Sequence, residues 1–165
     1  MKTSTETGNR KLILTRNFDA SPELMFKIWS DCKHLKHWWG PKEWPMDECN
    51  MDFREGGEWK YCLRGPNKGD ESWGLAIYRD ISKPDKIVYK DHFTDAKGSI
   101  VENMPNMVIS VDFTAQDSKT KQTITVVFDT NEERDKIVEM GMAEGMDSSL
   151  DRLEEHLVKL TEGNL

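Results

Sequence analysis

Short stretches in which apolar and polar residues alternate, joined by tight turns, set the narrowest limit on how this chain can fold. Cys49, Met51 and Phe53 alternate with Glu48, Asn50 and Asp52. Gly56-Gly57 reverses the chain, and Trp59, Tyr61 and Leu63 then alternate with Glu58, Lys60 and Arg64. The turn GPNKGD leads to Trp73, Leu75 and Ile77, and SKPDK leads to Ile87, Tyr89 and Phe93. A longer loop, from Asp95 to about Asn106, precedes two further alternating runs. These are Met107-Ile109-Val111-Phe113 and Ile124-Val126-Phe128, joined by the polar QDSKTK. Lys11 to Phe18 alternates more loosely and opens the set. Parallel neighbours need crossovers of about a dozen residues or more, which these turns do not supply. The pattern therefore predicts an antiparallel meander of six to seven strands.

Two helical segments frame the strands. Ser21 is a good N-cap, Pro22 stands at the first helical position, and Leu24, Met25, Ile28 and Trp29 follow at helical spacing. A further turn is expected over Lys33–Trp38, before Gly40-Pro41. At the other end Thr130 and Glu133 form a capping box. From there to Leu160 the chain is free of proline, with Met142, Met146, Leu150, Leu153, Leu157 and Leu160 along one side. One continuous helix is expected, roughly 40 Å long at ~1.5 Å per residue. The expected fold class is α+β: a curved antiparallel sheet on a long C-terminal helix, with a short helix pair after the first strand. It comprises a flexible N-terminus over 1–9, a single domain over 10–161 and a tail over 162–165.

Composition removes several functions. The formal charge is −7, and Lys and Arg are interleaved with Asp and Glu, so no basic stripe offers itself to a nucleic acid. No run approaches the roughly 20 apolar residues of a membrane-spanning helix, so no membrane partner is expected. Cys32, Cys49 and Cys62 are odd in number and lack CxxC spacing, which indicates neither a disulfide framework nor a zinc knuckle. Three reduced thiols, in a chain whose first residues include no apolar secretory segment, make the cytoplasm the expected compartment. No GxSxG, P-loop or GxGxxG motif is present, and no cofactor is expected.

The architecture leaves space. Strands with one apolar face are covered on one side, and a helix about 10 Å across cannot fill the hollow of a curled sheet. Large side chains fill the remainder or a cavity stays open. The stretch HLKHWWGPKEW concentrates Trp38, Trp39 and Trp44 where Gly-Pro breaks regular structure, beside the mouth of such a cavity. Trp59, Tyr61 and Trp73 are expected on the inner sheet face, and Met142 and Met146 on the helix opposite. These eight residues form the candidate ligand-binding set, and ordinary core packing is the other reading of each. Gly141 and Gly145 allow two readings as well, room for a ligand or close approach of the sheet.

Chemistry is sparse. His34 and His37 lie near Cys32 at a spacing that suits one helical face, but no carboxylate completes a ligand set, and no metal is expected. In KDHFTD, His92 lies between Asp91 and Asp95 as a candidate general base. On a strand, however, Asp91 and His92 point to opposite faces. No catalytic residue is assigned.

Four segments together carry a resemblance: FDASPELMFKIWSD; HLKHWWGPKEW; MDFREGGEWKYCLRGPNKGDE with WGLAIYRDI; and YKDHFTD with the closing GMAEGMDSSLDRLEEHL. Over about residues 10 to 160 the chain resembles the START-like (SRPBCC) superfamily, whose helix-grip fold is shared with the birch-pollen allergen. More narrowly, it resembles bacterial homologues of the C-terminal domain of the activator of the ninety-kilodalton heat-shock protein ATPase. The resemblance implies a curved sheet gripping the C-terminal helix around a cavity. It carries over no catalytic residue, and Trp38, Trp39, Gly40 and Pro41 match a structural signature of the family. Three functions stay open, in this order. The first is a binding protein for an apolar or aromatic small molecule. The second is an interaction module acting on a chaperone or another protein. The third is a cyclase- or hydrolase-like enzyme using the same cavity. A solvated sheet edge can pair, so both monomer and homodimer remain open.

Overall fold

The alternating segments build one antiparallel sheet in a computed structural model that describes residues 2–163. The expected α+β class holds, with eight strands rather than six or seven: β1 (Ser4–Gly8), β2 (Lys11–Phe18), β3 (Met46–Met51), β4 (Glu58–Arg64), β5 (Glu71–Ser82), β6 (Lys86–Thr94), β7 (Met107–Gln116) and β8 (Lys119–Val127). Their order across the sheet is β1-β2-β8-β7-β6-β5-β4-β3. Strands β3 to β8 thus form a continuous meander, and the β1–β2 hairpin pairs beside β8. Helices α1 (Pro22–Trp29) and α2 (Cys32–Trp38) carry the chain from β2 to the far edge at β3. Helices α3 (Asn131–Glu139) and α4 (Met142–Thr161) follow β8.

Local sequence accounts for the helix starts. The Ser21 side chain accepts a hydrogen bond from the Leu24 N–H at 3.2 Å, and Pro22 occupies the first turn. Asp31 caps α2 by accepting from the Lys33 N–H at 2.8 Å, so this helix begins one residue before the expected Lys33. Thr130 accepts from the Glu133 N–H at 3.1 Å. The buried faces of α1, α2 and α4 meet the sheet through Met25, Phe26, Ile28, Trp29, Leu35, Trp38, Leu150 and Leu153.

Four expectations are corrected. Residues 4–8, expected to be flexible, pair with β2 from Ser4↔Thr15 to Gly8↔Lys11. These residues are polar and largely exposed, so no hydrophobic period marks the strand. Met1, Asn164 and Leu165, which belong to the expected N-terminus and tail, lie outside the described residues. The C-terminal helix is divided at Gly141, whose φ of +94° falls in the left-handed region that favours glycine. On β5 the inward side chains are Gly74, Ala76 and Tyr78, because Gly74 pairs with Tyr61 and Ala76 with Trp59. Trp73, Leu75 and Ile77 therefore take the outer face.

The fourth correction concerns the cysteines. Cys32 and Cys49 form a disulfide that ties the start of α2 to β3, while Cys62 remains a buried thiol. The bonded pair lies 17 positions apart in the sequence, and only the return of the chain from α2 to the sheet edge brings them together.

Two polar clusters hold α4 in place. Arg16 on β2 is buried, and its guanidinium reaches Asp151 at 2.8 Å, Glu154 at 3.5 Å and Asp147 at 3.6 Å. At the α2–α4 seam, His34 Nδ1 lies 2.9 Å from His156 Nε2, and the His37 ring stacks on His156 with centroids 4.9 Å apart. Burial first, then His37, His34 and Lys159, push the His156 imidazole down to about 4. Among the described residues no helix is long and apolar enough to cross a membrane.

Candidate functional site

A cavity of about 240 Å³ lies between the inner face of β4–β7 and the first turns of α4. Its rim is the segment that follows α2. Trp39 terminates α2 with its N–H bonded to the Leu35 carbonyl at 2.8 Å. Arg152 of α4 fixes this end by donating to the carbonyls of Gly40 at 2.7 Å, His37 at 3.2 Å and Trp39 at 3.4 Å. A cation here also suits the negative end of the helix dipole. Gly40 has φ +99°, and a Cβ on it would lie 2.3 Å from the Trp44 carbonyl oxygen. The Gly-Pro break thus turns the chain tightly enough to present Trp39 and Pro41 to the cavity.

The walls are mainly apolar. Tyr61 and Leu63 come from β4, Phe93 from β6, and Met107 and Ile109 from β7. Met140, Met142 and Met146 border the top, with Gly145 among them. A Cβ on Gly145 would meet only Pro41 Cγ, at 3.7 Å, so sheet packing does not require a glycine there. Methionine adapts to contents of varied shape.

The residues singled out in the sequence divide into four groups. Trp39, Tyr61, Met142 and Met146 line the cavity. Trp73 borders it from β5, but its indole stands on the outer face and donates from Nε1 to Glu71 Oε1 at 3.0 Å. Trp38 and Trp59 form a layer behind the wall. Trp38 is fully buried, with Nε1 3.4 Å from the Ile28 carbonyl oxygen, and Trp59 packs against Trp39 and Tyr61 at centroid distances of 5.0 and 4.7 Å. Trp44 is half-buried over Gly65, where a Cβ would meet its ring at 2.6 Å. The core reading thus holds for Trp38 and Trp59, whereas Trp39 belongs to both core and cavity.

The chemically distinctive wall group is Asp91, whose place in the cavity the sequence reading missed. It sits on the inner face of β6, level with Ala76 and Met107 in the neighbouring strands, and is 7% exposed. Tyr61 Oη lies 3.4 Å from each of its carboxylate oxygens. Burial pushes this carboxyl up to about 7, against the opposing effects of the Tyr61 hydroxyl and the His92 backbone. Burial and the Asp91 charge together raise the Tyr61, Tyr78 and Tyr89 hydroxyls. Among the described residues the Tyr78 and Tyr89 hydroxyls have no hydrogen-bond partner. One signal pointed to Asp91: Ile87, Tyr89 and Phe93 face inward, and position 91 completes their alternation.

His92 follows Asp91 on the strand and also borders the cavity, and its Nδ1 lies 2.6 Å from Asn106 Oδ1 in the loop 95–106. Asp95 caps that loop, accepting from the N–H groups of Lys97 and Ser99 at 2.9 and 3.0 Å. The candidate base is therefore held by an amide rather than by either aspartate. His34 and His37 face His156, and the Cys32 sulfur is engaged in the disulfide.

Comparison with curated proteins finds no match. Among solved structures, a protein from Arthrobacter aurescens is 28% identical, with a TM-score of 0.89 over 96% of this chain and 93% of that one. A protein from Staphylococcus epidermidis is also 28% identical, with a TM-score of 0.83 over 94% of each chain. The fold is shared as well by protein Ms6760 from Mycobacterium smegmatis, at 23% identity and a TM-score of 0.84 over 94% of each chain. The sequence model of the family described as "Activator of Hsp90 ATPase homolog 1-like protein" matches residues 19–158. With that match spanning most of the chain on a helix-grip fold, the protein belongs to the Activator of Hsp90 ATPase homolog 1-like family.

Proposed function

We propose that this protein binds an apolar or aromatic small molecule in the cavity between the sheet and α4. The observation that carries the reading is the partly open space of about 240 Å³, walled by Trp39, Tyr61, Phe93 and methionines. Its size lies between the roughly 150 Å³ cavity that admits benzene and the ~300 Å³ at which drug-sized sites begin. A one- or two-ring molecule matches it. Burying about 200 Å² of aromatic surface contributes about 5 kcal/mol before the cost of association is subtracted. Native mass spectrometry of the purified protein is the first test, with a co-purified small mass expected. The second is binding of an environment-sensitive apolar dye, expected to weaken at least tenfold in Gly145→Leu at unchanged circular dichroism. Equal dye binding by the filled variant would overturn the reading.

The family description favours a second reading, an interaction module that stimulates a chaperone ATPase. It requires a higher turnover rate of a purified Hsp90-type chaperone at saturating protein, and an unchanged rate would remove it.

A further inference from the structure

The cavity is mainly apolar, with Ser72, Ser149 and His92 also on its lining, and Asp91 is the one carboxyl group on its wall. Alternation along β6 would fill position 91 with another residue like Ile87 or Tyr89, and instead it carries an aspartate that is 7% exposed. Carboxylates at such depth are ordinarily paired with a cation or well supplied with donors. Here the side-chain donor is Tyr61 Oη, at 3.4 Å from both oxygens, beyond the usual O–H···O range of about 2.5–3.0 Å. A carboxylate has about four acceptor positions, so capacity remains on the side facing the cavity. The groups that face Asp91 are hydroxyls and apolar chains: Tyr61 from β4, Tyr78 from β5, Tyr89 on its own strand and Met107 from β7, with His92 contributing through its backbone. Among the described residues no Lys or Arg lines the cavity. The wall thus presents an acidic group beside the aromatic rings of Trp39 and Tyr61, which favour a cation, and carries no Lys or Arg to pair with it.

Resting on the binding function proposed above, we infer that the ligand carries a protonated amine on its apolar body and that Asp91 is its counter-charge. An ammonium supplies the donors and the positive charge that this group lacks, while the aromatic walls accept the hydrocarbon part and add cation–π attraction. A ligand carboxylate would meet like charge, and a hydroxyl would supply a donor without charge.

Three near-isosteric probes test this by calorimetry: 2-phenylethylamine, 2-phenylethanol and 3-phenylpropanoate. At pH 8 the amine should bind at least tenfold tighter than the alcohol, with the carboxylate weakest. The alkylammonium stays protonated to about pH 10, so a loss of amine affinity between pH 8.5 and 5.5, expected to be at least fivefold, reports protonation of Asp91. In Asp91→Asn the amine should lose its advantage while the alcohol keeps its affinity. A carbon-detected NMR titration of the wild-type protein gives a readout independent of that variant's folding: the Asp91 carboxyl pKa should fall by at least one unit when the amine is added. Alcohol binding as tight as amine binding, preference for the carboxylate, or an unmoved Asp91 pKa would each overturn the inference and leave the cavity function standing. If no probe binds, both fall together.

Discussion

At the scale of single residues, two glycines on the cavity wall differ in what an added side chain would meet. Gly74 sits on β5 opposite Tyr61, and a Cβ there would lie 2.4 Å from Tyr61 Cζ and 2.5 Å from its hydroxyl oxygen. That ring is fixed between Trp39 and Trp59 and cannot step aside cheaply. Gly74→Ala should therefore destabilise the fold by about 1–3 kcal/mol, the usual range for overpacking, and should displace the ring that reaches Asp91. Gly145 is the opposite case. It has helical backbone, its added methyl would touch Pro41 Cγ at an ordinary 3.7 Å, and alanine is the better helix former. Gly145→Ala should be neutral or stabilising by up to about 1 kcal/mol, while narrowing the cavity. Urea midpoints of the two variants check both signs. The sequence showed Gly145 to border the apolar stripe but could not choose between its two readings, because the choice depends on Pro41, more than 100 residues away.

At the scale of elements, the sequence was legible where local chemistry decides and silent where pairing decides. Ser21-Pro22 and Thr130 marked true helix starts, since a cap is a contact between near neighbours. The alternation of β4, β6, β7 and β8 gave the correct inward faces. On β5 it failed, because both faces carry apolar side chains and only the pairing of Gly74 with Tyr61 selects one. Strand β1 was invisible, being polar, and so was the division at Gly141, since no proline interrupts the chain between Thr130 and Leu160. Open space beneath the helix was an expectation from sheet curvature and helix width, while the place of Asp91 needed the register. The disulfide was illegible for the same reason. It closes a loop of 17 residues between α2 and β3, and a loop of about 15 residues corresponds to about 3 kcal/mol in the chain-entropy account. Replacing both Cys32 and Cys49 with Ser should lower stability by about that amount. The Trp39 rim hangs from the same helix, so ligand exchange should also quicken. Stopped-flow dissociation of a bound dye checks this second outcome, and equal dissociation rates would show that Arg152 alone fixes the rim.

At the scale of the whole molecule, two buried groups give stability opposite dependences on pH. Asp91, held up to about 7, has a folded value above its unfolded one of about 3.9. Its folded form keeps the proton longer, so its contribution is fully present below about pH 4 and is lost as pH rises through 7. His156, held down to about 4, lies below its unfolded value of about 6.5, and its contribution is present above that value and lost as pH falls toward 4. His34, also lowered by burial, adds to the histidine side. Between about pH 4 and 6.5 the two slopes oppose each other, and the wild-type protein should show a shallow profile, with a decline of its own only from 6.5 to 7. Removing either group should expose the other. Asp91→Asn should gain stability steadily from pH 4.5 to 6.5. His156→Gln should lose it over the same range, by as much as about 4 kcal/mol toward pH 7 at about 1.4 kcal/mol per unit. Urea midpoints at pH 4.5, 5.5, 6.5 and 7.5 for the three proteins separate these cases. Parallel profiles would mean that neither group titrates inside the fold. A cationic ligand joins the same balance: by charging Asp91 favourably it should remove the decline above pH 6.5, so 2-phenylethylamine should raise the midpoint more at pH 7.5 than at pH 5.5, and the alcohol should not.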